Sequence, residues 1–102
     1  MCEFKILDLE KKTQLAEEIV VLSYSKQQNL QLMDILGISK ELESALIYDV
    51  NTLDQTCKVL QHPIINPFIE IIENLNNRTL NETHINDFIL KLESLKNELK
   101  ND

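Results

Sequence analysis

The sequence predicts an α+β fold, a small antiparallel β-sheet or barrel of five to six strands followed by a C-terminal helical hairpin. Two observations predict it. The chain before "HPIINP" (62–67) alternates short β-branched and aliphatic runs with polar turn residues, while the chain after it repeats apolar residues every three to four positions. Its length of 102 residues suits one domain. The change of period divides it into a β-rich part, residues 1–61, and a linker with a two-helix extension, residues 62–102.

From the N-terminus, Cys2, Phe4 and Ile6 alternate with Glu3 and Lys5, which predicts a strand from Cys2 to about Leu9 with the thiol on the apolar side. "EKKTQ" supplies a polar turn. "LAEEIVVLSYS" (15–25) begins with helix formers, but Ile19, Val20, Val21, Leu22 and Tyr24 favour a strand. "KQQN" closes a hairpin into a strand over residues 30–35. Gly37, the single glycine, marks a bulge or a turn that needs positive φ. "ISKELES" resumes as a strand, "ALIYDV" places Leu46, Tyr48 and Val50 on one face, and "NTLDQ" turns into "TCKVL". A helix from Ser39 remains an equal reading of "SKELESALIYDV", because Leu42, Ala45 and Leu46 recur at helical spacing.

In the second part, Asn66 is expected to cap a helix with Pro67 in its first position, where the missing N–H costs no helical bond. Phe68, Ile69, Ile71, Ile72 and Leu75 form its apolar face. A capping box from Thr79 to Glu82, or a cap at Asn81, starts the last helix. There Ile85, Phe88, Leu92, Leu95 and Leu99 form a 3–4–3–4 stripe widened by Ile89. Packing of this hairpin on its own sheet is the favoured expectation. The alternative is a protein-interaction or oligomerisation module that uses the stripe.

The charge narrows the function. Seventeen acidic against ten basic side chains give a net charge of −7, a field that repels phosphate backbones and anionic membranes. Neither nucleic acid nor membrane is an expected partner. A secretory signal and an apolar run long enough to span a bilayer are both missing from the pattern. Two cysteines are too few for a disulfide framework, so a reducing, cytoplasmic setting is expected. The sequons at Asn77 and Asn81 then read as chance products of an Asn-rich loop. No phosphate loop, nucleophile elbow or zinc-protease motif occurs, and the pairs Glu17–Glu18 and Glu41/Glu43 read as solvated faces, so no enzymatic activity is expected. His62 is expected at the end of the sheet and His84 facing solvent, and Cys57 reads as packing. Cys2 supports two readings. It is a small buried hydrophobe, or its thiol and the nearby α-amine form a chelate.

Up to Leu60 the sequence resembles the small CooT-like nickel-binding proteins, a family formerly described as predicted RNA-binding proteins. The resemblance rests on "MC" with Lys5 before an apolar strand, on "EEIVVLSY", on "LQLMDILGISKELE" and on "ALIYDVNTLDQTCKVL". The sequence departs from the family pattern at Glu3, Phe4, Leu36 and Ile38, and the helices after residue 66 lie outside the family core. The resemblance implies a compact β-rich domain, a homodimer, and Ni(II) held through Cys2 of each subunit. It also implies an accessory role towards a nickel-enzyme client such as carbon monoxide dehydrogenase. Ni(II) accepts square-planar nitrogen and sulfur donors, and first strands paired across a two-fold axis would present two thiolates.

Overall fold

The computed structural model describes residues 2–100. Six strands precede two helices: β1 (Phe4–Asp8), β2 (Gln14–Tyr24), β3 (Leu30–Asp34), β4 (Ser39–Leu42), β5 (Ala45–Asn51), β6 (Thr56–Gln61), α1 (Ile65–Asn76) and α2 (Glu82–Lys100). The α+β class and the strand segments match the sequence pattern, and "SKELESALIYDV" forms β4 and β5 rather than a helix. The turns carry their own chemistry. Asp8 Oδ1 accepts the Glu10 and Lys11 N–H groups, and Asp34 Oδ1 accepts those of Leu36 and Ile38. Gly37 adopts φ +83°, the conformation for which a glycine is suited.

The strands form one sheet in the order β4-β3-β2-β1-β6-β5. Every neighbouring pair is antiparallel except β1 and β6, which run parallel. The expected antiparallel sheet is therefore mixed, for a topological reason. The chain reverses between β1 and β2, β2 and β3, β3 and β4, and β5 and β6, but passes from β4 into β5 without turning back. An even number of reversals returns β6 in the direction of β1.

That uninterrupted passage also closes the sheet. β4 and β5 are its two edges, yet only Glu43 and Ser44 separate them. Three Cα steps span at most about 11 Å, so the sheet must curl until its edges meet at this corner. Ser44 takes a left-handed φ of 51° there. The Tyr24 hydroxyl fastens the corner from β2 by donating to the Ala45 carbonyl (2.9 Å) and accepting the Ile47 N–H (3.3 Å). Burial pushes the Tyr24 phenol above its ordinary pKa, against the opposing pull of the bond from the Ile47 N–H. The 11-residue β2 is irregular at two adjoining places: Glu18, with φ 57°, falls in the register shift against β1, and Val20 in the shift against β3. Tyr24→Phe leaves two backbone groups without their shared partner, and we expect a loss of about 1–2 kcal/mol of stability in urea unfolding.

The interior of the curl is small: Ile6, Ile19, Leu30, Leu32, Leu42, Ala45, Cys57 and Val59. Phe4, Leu15, Ala16, Leu22 and Ile47 pack around it. The expected shared face of Leu46, Tyr48 and Val50 is broken by a bulge at Tyr48: Leu46 lies opposite Leu60 but Val50 opposite buried Cys57, and all three side chains are exposed.

The helices are attached to this body by polar bonds. Asn66 does not cap α1. The helix begins two residues earlier than expected, behind Ile64, where His62 Nδ1 accepts the Ile64 N–H and the His62 carbonyl accepts that of Ile65. Asn66 is drawn to the sheet instead: its N–H donates to Ser44 Oγ (3.0 Å) and its Nδ2 to Asn29 Oδ1 (2.7 Å). Asn81 caps α2, accepting the His84 N–H on Oδ1 while its own N–H donates to His84 Nδ1. Thr79 is unavailable for that role because its hydroxyl donates to Asn74 Oδ1.

Neither helix contains a buried residue. The expected packing of the hairpin on the sheet is met only in part: α1 meets β5, and Ile69 and Ile71 are half-buried. β4 and β5 close the curl by themselves, which leaves the helices no inner face to cover. The radius of gyration, 15.9 Å, exceeds the roughly 13 Å of a compact chain of this length.

Candidate functional site

Cys2 stands two residues ahead of β1 with an exposed, free thiol. The alternation that placed it on the apolar side ends at Phe4, where strand pairing begins opposite Ile19. Ile6 is fully buried and Phe4 only partly so, which leaves Cys2 outside the core. The chain reaches β1 beside the β5–β6 turn, where the Lys5 N–H donates to the Gln55 carbonyl (3.0 Å) and Lys5 lies opposite Thr56. The helices leave from the other end of β6, after Gln61. The six residues of β6, five steps or about 17 Å, separate the two ends, so Cys2 and the helical root are distinct regions.

β1 has β2 on one side and β6 on the other. Pairing of first strands across a two-fold axis is therefore closed to this fold. Cys2, exposed ahead of Phe4, remains free to meet a copy of itself.

Cys57 behaves oppositely. It is wholly buried, opposite Ile6 on one side and Val50 on the other. Burial pushes its thiol pKa up, and the nearby negative charge of Asp49 adds to the effect. With Ellman's reagent on the folded protein we expect one thiol to react at once and the second only on unfolding. Cys2→Ser should remove the fast phase and Cys57→Ser the slow one.

The remaining candidates do not converge on Cys2. Among the described residues, no group of three or more His, Cys, Asp and Glu side chains is placed to hold a metal ion. His62 and His84 each commit Nδ1 to a backbone N–H at the start of a helix. His84 is half-buried rather than solvent-facing, and its capping role was legible only as the Asn81-x-x-His84 spacing, with His in place of the usual Glu or Gln. Sequence reasoning missed the contact between Asn29, Ser44 and Asn66, because its members are spread over 37 positions. Glu41 accepts bonds from Asn29 and Gln31 on the exposed sheet surface, and Glu17 from Gln14.

The residues of the helical stripe fall into two sets. Phe88 and Leu95 are half-buried, Phe88 against Phe68 with ring centroids 6.3 Å apart. Ile85, Leu92 and Leu99 are exposed, Leu99 by 74%. Among the described residues, no helix is long and apolar enough to cross a membrane.

Comparison with known proteins bears on the fold. No family model matches the chain, and no curated protein matches it. Among solved structures, a crystal structure assigned to CooT from Carboxydothermus hydrogenoformans matches with a TM-score of 0.54 and 21% identity, covering 60% of this chain and 98% of that one. The matched share is about the length of the chain to the end of β6, so the sheet is CooT-like in fold and the remainder is helical.

Proposed function

We propose that this chain is a non-enzymatic, cytoplasmic nickel-binding accessory protein, in which Cys2 of two copies holds Ni(II) as cargo for a nickel enzyme. The observation that carries the reading is the exposed thiol at the start of a CooT-like sheet. The side chains of one chain do not complete a metal site, since Cys2 is a single soft donor with no cluster beside it among the described residues. Thiolate sulfur with backbone nitrogens suits square-planar Ni(II). Cys2 brings its own amide nitrogen, and the Met1 amine, outside the described residues, is its covalent neighbour. Two copies meeting at these ends supply two thiolates.

Donation from an α-amine beside Cys2 requires a free N-terminus, because an extension turns that amine into an amide. The test compares Ni(II) titrations of tag-free protein and of protein carrying an N-terminal extension, read by the thiolate-to-nickel charge-transfer band. Tag-free protein is expected to develop the band and the extended protein to lose it. Equal binding by both would remove the N-terminal site.

A further inference from the structure

We infer that the helical hairpin docks a second copy of this chain, α1 and α2 of each copy packing together as a four-helix bundle. The inference is independent of the nickel reading and concerns the part of the chain outside the CooT-like sheet. Phe68, Ile72 and Leu75 of α1 recur at helical spacing and are exposed. So do Ile85, Ile89 and Leu92 of α2. The Phe68–Phe88 contact holds the helices as neighbours and Ile69, Ile71, Phe88 and Leu95 are half-buried, yet no residue of either helix is fully buried.

The surface shows how much is uncovered. The chain exposes 7420 Å², whereas a compact monomer of this mass exposes about 6,000 Å². The excess exceeds the roughly 800 Å² that each partner buries in a stable complex. Two antiparallel helices with apolar faces are half of a four-helix bundle, and a second copy supplies the other half in a two-fold arrangement. Charge favours a like partner over a strongly charged one. Residues 65–100 carry six acidic and four basic side chains, nearly balanced although the whole chain is at −7.

The test is sedimentation equilibrium of the untagged, metal-free chain beside Ile72→Glu/Leu92→Glu. Both positions are 40–45% exposed in the single chain, so the monomer tolerates the change, while each charge enters a two-fold interface twice. The unmodified chain is expected at twice its 11.9 kDa mass, and the variant at a single mass with dimerisation weakened by about 100-fold or more. Cys2→Ser should remain dimeric. Hydrogen exchange of the unmodified chain across a dilution series guards against an unfolded variant: amides of residues 65–100 should lose protection on dilution while those of the strands do not. A monomer at all concentrations, a dimer untouched by the two glutamates, or helix protection independent of concentration would overturn the inference.

Discussion

Ile6→Ala is expected to remove about 3 kcal/mol of folding stability, within the 2–5 kcal/mol usual for such truncations. Ile6 is wholly buried in β1 and lies opposite Ala16 on β2 and Cys57 on β6. It sits where the parallel pair joins the antiparallel part of the sheet. Among the described residues, eight form the buried core, so the neighbours of Ile6 belong to a curl already fastened at the Ser44 corner and have little freedom to collapse into the cavity. A domain of this size holds about 5–15 kcal/mol in all, so one methyl-rich side chain carries a large fraction. Urea unfolding followed by circular dichroism should show the midpoint falling by roughly 2–3 M, taking about 1–1.5 kcal/mol/M as the slope for a small protein. Leu53→Ala, at a residue 97% exposed in the β5–β6 turn, should stay within about 0.5 kcal/mol of the parent. An unchanged midpoint for Ile6→Ala would mean that the core lies elsewhere.

Cys2→Ser is expected to weaken Ni(II) binding by about 100-fold or more and to abolish the charge-transfer band, because a serine hydroxyl is a hard, weakly acidic donor where nickel takes a thiolate. The magnitude follows from the absence of a substitute. Cys57 is sealed in the core, and both histidines spend Nδ1 on helix starts. Stability should be almost unaffected, since Cys2 is exposed and outside the strand. That combination separates a ligand from a packing residue. A buried structural cysteine gives the reverse result, unfolding at a lower urea concentration with no change in metal binding. Cys57→Ser serves as that comparison.

Much of the fold was legible because its signals are local. Alternation in "FKIL" and "TCKVL", Gly37 at positive φ and the heptad-like stripe after Ile85 all depend on neighbours within a few residues. The resemblance of the first 60 residues to CooT-like proteins pointed to the same sheet, and the match to a solved CooT fold agrees with it. What escaped depends on distant partners. Alternation says which side chains share a face, not which strand lies beside them, so the central position of β1 and its parallel pairing with β6 were invisible. The same holds for the closure of the sheet through Ser44 and Tyr24, and for the pull of Asn29 on Asn66 that displaced the expected cap. Cys2 looked buried because the alternation was extended two residues past the last paired position. The helical stripe divides in the structure into half-buried Phe88 and Leu95 and exposed Ile85, Leu92 and Leu99. Its cover could not be read, because whether an amphipathic face meets its own sheet depends on how far the sheet has already closed upon itself.

The site residues divide along the same line. Cys2 was singled out by its residue type, its position and the family resemblance, and the structure adds that the thiol is accessible. Ile85, Phe88, Leu92, Leu95 and Leu99 were found from periodicity, and the structure adds that the helices bury little against their own chain. The two regions lie at opposite ends of β6, so a metal-dependent and a metal-independent association can be separated by substitution.

The most direct test is the nickel content of untagged protein after saturation and desalting, measured together with native mass. The account predicts one Ni(II) for two chains on a particle of twice the chain mass, with nickel lost and the particle retained in Cys2→Ser. Nickel retained in full by Cys2→Ser, or no nickel retained by the unmodified chain, would contradict it.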